Sequence, residues 1–443
     1  MKTIKIIFLS LFFTIMIGSC TQDFENPNQP SDQQVLSTKN GLLTAITGLN
    51  QNFSNNTLSP IIETVGFTTR ELGYNSTFFS PMELVAGGAE LSNENGAITR
   101  LWSNLLRDKG VAEAILANVD NVTMDPATKS GIKAYAKFFK AMTLGYLIQN
   151  FEKAPINNQA DGKAVFSDRA SVLAECINLL VSAKSDITTT PASAEFNNIL
   201  PNLSMPNMIN AYLARYNLFA GNYQAAIDAA NTVNLTVKSF WIYTGANKNP
   251  GWVLTLSTPL GAKPQDDFGL TGAYIPESGD GRKAFYLASS SAVEVPALGG
   301  HALENALGFF TTTATSIPVY LPGEMLLIKA EAYAKLQVPN FPDAVINLNL
   351  VRQKTTDVFG VNAGLGAWTG NAADQTEILN EVYKNRCIEL YLSGMRLEDS
   401  RRIHNTFVPS AAVNYSNERN RNYYPYPFGE RVNNPNCPTD PSI

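Results

Sequence analysis

Histidine occurs only twice and cysteine four times in 443 residues, and both shortages exclude chemistry. His301 and His404 are far apart and in no HExxH-type spacing, so the sequence offers no zinc-hydrolase signature. Cys20, Cys176, Cys387 and Cys437 form no CxxC pair and no disulfide framework. One disulfide stays open, and spacing does not choose the pair. A GxSxG elbow is missing, and neither histidine sits in a context that picks out a Ser/His/Asp set. Basic runs are missing as well: 33 Lys and Arg face 38 Asp and Glu. That balance argues against a nucleic-acid partner. Gly364-Leu365-Gly366 has Thr369 where a GxGxxG motif needs its third glycine, so residues 360–370 read as a loop. The expectation is no catalytic set, no metal and no cofactor.

Long apolar runs are also absent, with one exception at the start. Lys2 and Lys5 precede Ile6 to Ile17, about a dozen apolar residues, against the roughly 20 a spanning helix needs. This is the h-region of an export signal. Ile17-Gly18-Ser19-Cys20 resembles a lipoprotein lipobox, which implies cleavage after residue 19 and lipidation of Cys20. Two or three acyl chains anchor firmly where one does not. Asp23 and Glu25 resemble the acidic display tags of Bacteroidetes surface lipoproteins. Removing residues 1–19 takes away two lysines and no acid, so the net charge moves from −5 to −7. The remaining chain reads as one domain over 20–443, with a tether at 20–34 rich in Pro and Asn.

What is present is mostly helical periodicity. Leu105, Val111, Ile115 and Val119 recur at near-helical spacing and stop before Asp125-Pro126. Tyr135, Phe139, Met142 and Tyr146 define a second helix over 131–151, and a third follows at 171–186. Trp102 and Tyr135 sit in such helices and belong to the core. Residues 61–100 lack steady periodicity and read as long loops with a short helix. Around 206–233, Leu213, Gly221-Asn222-Tyr223 and Ala226-Ile227 resemble the middle of a tetratricopeptide repeat. A second copy lies at 325–352, and 131–151 holds a degenerate third. The fold class is therefore mostly α: a helical-repeat scaffold over about 35–237 and 320–405. Between them, about 238–319 is loop-rich with short strands, the kind of segment that carries function.

Three C-terminal segments resemble the SusD/RagB family of outer-membrane nutrient-binding lipoproteins. The first is Tyr320-Leu321-Pro322-Gly323-Glu324 leading into Ala330-Glu331-Ala332, followed by Leu348-Asn349-Leu350-Val351-Arg352. The second is a helix matching at Arg386, Glu389, Leu390, Gly394, Arg396, Asp399 and Arg402. The third is Tyr426-Pro427, Glu430 and Asn434-Pro435. Ser393, Leu397-Glu398 and Ser400 depart from the family pattern. The resemblance implies a surface-facing outer-membrane lipoprotein that binds an oligosaccharide or peptide. It also implies a partner, a TonB-dependent (SusC-like) outer-membrane transporter. Asp399 lies three residues from both Arg396 and Arg402, within helical pairing reach, so this charge set reads as structural.

Sugar rings offer flat C–H faces, and aromatic side chains in irregular segments are the natural platforms for them. The shortlist is Tyr74, Phe79, Trp241, Tyr243, Trp252, Tyr274 and Trp368. The competing reading is a helical glycoside hydrolase using Asp266, Asp267, Glu277 or Asp280, since glycosidases work with paired carboxylates. Asp280-Gly281-Arg282 also resembles a "D-x-R" of the binding family.

Overall fold

The computed structural model describes residues 35–74, 78–257, 261–290 and 301–443. Cys20, the export signal and the tether lie outside the described residues. The chain begins with α1 (Lys39–Asn52), which passes through a wide π turn at Phe53–Thr57 into α2 (Leu58–Thr68). Strand β1 (Leu72–Tyr74) and α3 (Phe79–Ala86) follow. The region from 61 to 100 is thus more helical than its sequence predicts. The reason is burial: almost every α2 side chain is buried, so no polar face marks a helical period.

Each long helix opens on a side-chain cap, and the one expected over 131–151 begins earlier, at Pro126. Asn95 accepts from the Ala97 and Ile98 amides to open α4 (Gly96–Asn118). Asp125 accepts from the Thr128 amide, and Pro126 occupies the first turn of α5 (Pro126–Asn150). After a short antiparallel ladder of β2 (Ala154–Pro155) and β3 (Phe166–Ser167), Asp168 does the same for α6 (Arg169–Thr189). After the short α7 (Ala194–Ile199), the repeat-like pair is α8 (Met205–Phe219) and α9 (Tyr223–Asn231). Gly221, with φ +79°, closes α8: its amide reaches Leu218 O and the Asn222 amide reaches Asn217 O. The turn that the Gly221-Asn222-Tyr223 match predicts is there.

The excursion holds β4 (Phe240–Trp241), α10 (Pro250–Thr255), β5 (Ala262–Pro264), α11 (Gly281–Tyr286), β6 (Leu287–Ser289), β7 (Glu304–Ala306) and β8 (Ile317–Pro318). Its strands form two-stranded antiparallel ladders, β4 with β8 and β6 with β7, while β5 pairs back to β1 with Tyr74 opposite Ala262. The scaffold resumes with α12 (Pro322–Lys335), α13 (Phe341–Arg352), α14 (Gln375–Glu389), α15 (Arg396–Ile403) and α16 (Phe428–Asn433). In space α4, α5, α6, α8, α9, α12 and α13 stack in series, each on the next, and α14 closes against α12. That is the neighbour-on-neighbour packing of a helical repeat.

The main core runs along this stack, and Trp102 and Tyr135 are buried in it. Trp241 also belongs there, 5.5 Å from Phe53 and 6.1 Å from Phe139 between ring centres. Burying one such aromatic contributes about 2–3 kcal/mol. A smaller core lies between α12, α13 and α14, around Leu327, Leu348 and Val382.

Buried ion pairs join the segments that carry the sequence resemblance. Glu324 binds Arg215 of α8 in a bidentate pair at 2.6 and 2.8 Å. Glu331 of α12 accepts from Arg402 of α15. Asp399 takes a bidentate pair from Arg386 at 2.9 Å and a 2.7 Å contact from Arg402. The expected Arg396–Asp399 pair does not form: Arg396 instead donates to the Phe268 carbonyl of the excursion, 2.5 Å away. Cys176, Cys387 and Cys437 are free thiols.

Candidate functional site

Exposed large aromatics concentrate at one place, where β1, α3 and the loop before Tyr424 converge. Phe79 is 80% exposed and Phe78 69% exposed, with Met82, Val413 and Tyr415 partly exposed nearby. Tyr74 is half-buried at the end of β1. Burial raises its hydroxyl pKa first, and the neighbouring Tyr415 adds to the rise.

Arg70 fastens this surface from below. It has φ +69° and is buried, and it donates to the carbonyls of Val85 (2.6 Å), Asn414 (3.0 Å) and Asn417 (3.2 Å). Its guanidinium also lies 5.8 Å from the centre of the Tyr415 ring. Burial pulls the guanidinium down to about 10, still charged at neutral pH. Asn420 adds two bonds to the end of α3, at Leu84 O and Val85 O. Gly87 (φ +64°) allows this approach, because a Cβ there would stand 2.1 Å from Asn420 Cγ. The aromatics are therefore held on a rigid base by backbone-directed hydrogen bonds. Sequence reasoning missed Phe78 and Tyr415. The doublet Phe78-Phe79 was the legible signal for the first; Tyr415 had none, since only folding brings it to β1.

The rest of the shortlist does not converge here. Trp241 and Tyr243 are corrections: both are 3% exposed, and the Tyr243 hydroxyl donates to Ser54 O inside the protein. A buried ring presents no face to a ligand. Trp252 is half-buried in α10, with Lys248 Nζ 5.9 Å from its ring centre. Trp368 packs on the smaller core at the other side of the scaffold. Tyr274 is tied to His404 Nε2 at 3.0 Å and to Asn380 at 3.3 Å.

The acids of the hydrolase reading are each engaged by a basic side chain. Asp266 meets His301 (2.7 Å), Asp267 meets Lys283 (2.6 Å), and Asp280 holds the buried Arg282. Glu277 sits against Arg352 and Lys384, whose hydrogen bonds hold its carboxyl down at about 2. A general acid at neutral pH needs the opposite shift. Asp280-Gly281-Arg282 is a structural clamp, reaching Asn385 and Glu389 of α14. Among the described residues no group of three or more His, Cys, Asp or Glu is placed to hold a metal ion. No described helix is long and apolar enough to cross a membrane.

Comparison with known proteins places this architecture. The model of the SusD family matches residues 310–439, which contain the three C-terminal segments. A SusD superfamily protein from Bacteroides thetaiotaomicron superimposes with a TM-score of 0.72 at 16% identity, covering 91% of this chain and all of the other. The C-terminal part of the chain, residues 310–439, is thus similar to the SusD family, and the fold of the chain is that of SusD superfamily structures. A SusD-like carbohydrate binding protein from Bacteroides fragilis gives a TM-score of 0.66 at 14% identity, with 91% and 100% coverage. A SusD-like carbohydrate binding protein from Bacteroides vulgatus gives 0.61 at 19%, covering 82% and 83%. No curated protein matches. At these identities the SusD-like structures establish the shared fold.

Proposed function

We propose that this protein is a SusD-family surface lipoprotein that captures an oligosaccharide on the Tyr74, Phe78, Phe79 and Tyr415 surface. It then delivers the ligand to a TonB-dependent outer-membrane transporter. The observation that carries the reading is the exposed aromatic surface beside the loop-rich face, fixed by Arg70 and Asn420. Exposed aromatic clusters of this kind mark binding sites on otherwise soluble surfaces. Fold relatives described as carbohydrate binding proteins support a glycan as the ligand. Cys20 carries the lipid, and Asp23 and Glu25 direct display outward. Capture beside the transporter raises the local ligand concentration.

Calorimetry against a panel of oligosaccharides and peptides tests the reading. Each of Tyr74→Ala and Phe79→Ala weakens binding of the responding glycan about tenfold, the loss of roughly 1.4 kcal/mol of stacking. Because Phe79 is exposed, its thermal midpoint stays within about 2 °C of wild type. Binding that is indifferent to both substitutions overturns the site. Binding confined to peptides replaces the glycan with a peptide ligand.

A further inference from the structure

Where α5, α8 and α12 meet the excursion, the core leaves a cavity of about 50 Å3. Most of its wall is apolar, with Trp241, Phe309, Phe310, Leu390 and Met395 among the lining residues. The polar part of the wall is one cluster: Tyr146 of α5, Tyr212 and Arg215 of α8, and Glu324 of α12, each 5% exposed or less. Arg215 Nε and Nη2 are engaged by Glu324. Its Nη1 has no hydrogen-bond partner among the described residues, and unlike a sealed atom it is still within reach of water. The Tyr146 and Tyr212 hydroxyls lie beside each other and beside Arg215. Even where one donates to the other, one O–H proton stays free. The remaining tyrosines of the wall differ: Tyr286, Tyr320 and Tyr391 donate to the carbonyls of Glu389, Val237 and Glu71.

A guanidinium N–H and a phenol O–H both need acceptors, and a dry cavity would leave a charged donor unpaired in the interior. Water accepts twice and donates twice, so one molecule can serve several of these groups. A buried water needs roughly 10–15 Å3 of such space and two to four polar partners. By that measure the cavity has room for about three or four waters. Arg215 Nη1, the two hydroxyls and the Glu324 carboxylate supply the partners. We infer that this cavity is a water-binding site, whose cluster bridges Arg215 Nη1 to the Tyr146 and Tyr212 hydroxyls. The ion-paired joint between α8 and α12 is then completed by solvent inside the core. This site is independent of the aromatic surface proposed above.

The test is a high-resolution crystal structure of the protein, with and without pressurised xenon, a probe that enters dry apolar cavities. Density peaks are expected at hydrogen-bond distance from Arg215 Nη1 and from at least one of the two hydroxyls, with no xenon bound. Tyr146→Phe and Tyr212→Phe each keep the ring and remove one hydroxyl. At least one of them removes a peak and lowers the thermal midpoint by about 2 °C. In a dry cavity the same changes hold the midpoint level or raise it, because the hydroxyl they delete has no partner to lose. If the variants fail to fold, the wild-type density and the xenon series decide. A cavity clear of density, xenon bound within it, or midpoints unchanged or raised in both variants overturns the inference.

Discussion

Asp108 is 1% exposed and accepts from Asn52 (2.5 Å) and Thr57 (2.6 Å). Burial still outweighs those bonds and pushes its carboxyl up to about 6 from 3.8. The folded state then holds a proton that the unfolded state releases, so stability is highest below pH 4 for this group. It falls as the pH rises through about 6, by about 3 kcal/mol. Urea midpoints between pH 4 and 7 measure the slope, and Asp108→Asn flattens it. At this scale sequence and structure diverge most. Trp241 and Phe79 are both aromatic residues in segments without period, yet one is 3% and the other 80% exposed. Composition cannot separate them, because exposure depends on what residues far along the chain cover.

Among elements, the pair between α12 and α15 shows what the family-like segments do. Glu331 is fully buried, and Arg402, Lys335 and Arg386 hold its carboxyl down at about 2 against the penalty of burial. Its contribution is present above pH 4.5 and is lost as the pH falls through about 2. Glu331→Gln strips the buried Arg402 of one carboxylate and lowers stability by about 3 kcal/mol in urea unfolding at pH 7. Gly221→Ala costs about 1 kcal/mol by the same measurement. The space around it is open, so the strain of φ +79° is the whole effect. The elements themselves were largely legible. A steady apolar period marks α4, α5 and α6 in sequence, although α5 starts at Pro126, five residues before the expected 131, behind its Asp125 cap. Helix α2 was not legible, since a helix buried on all sides has no amphipathic signature.

For the whole molecule, the serial stack of helices forms a rigid support, and the excursion and the 405–420 loop lie against it. The proposed lipidation predicts that Cys20→Ala moves the protein from the detergent phase to the aqueous phase on phase partition, and a variant that stays in the detergent phase overturns it. By itself the sequence determined the helical-repeat class, the repeat turn at Gly221 and the C-terminal segments that match the SusD family model. These depend on local period, turn conformation and short-range spacing. Only the tertiary structure decided which aromatics face solvent and which acids are engaged by basic side chains. Those outcomes depend on contacts between residues tens to hundreds of positions apart, such as Arg70 with Asn417 and Arg352 with Glu277. Local pattern carries no record of such encounters.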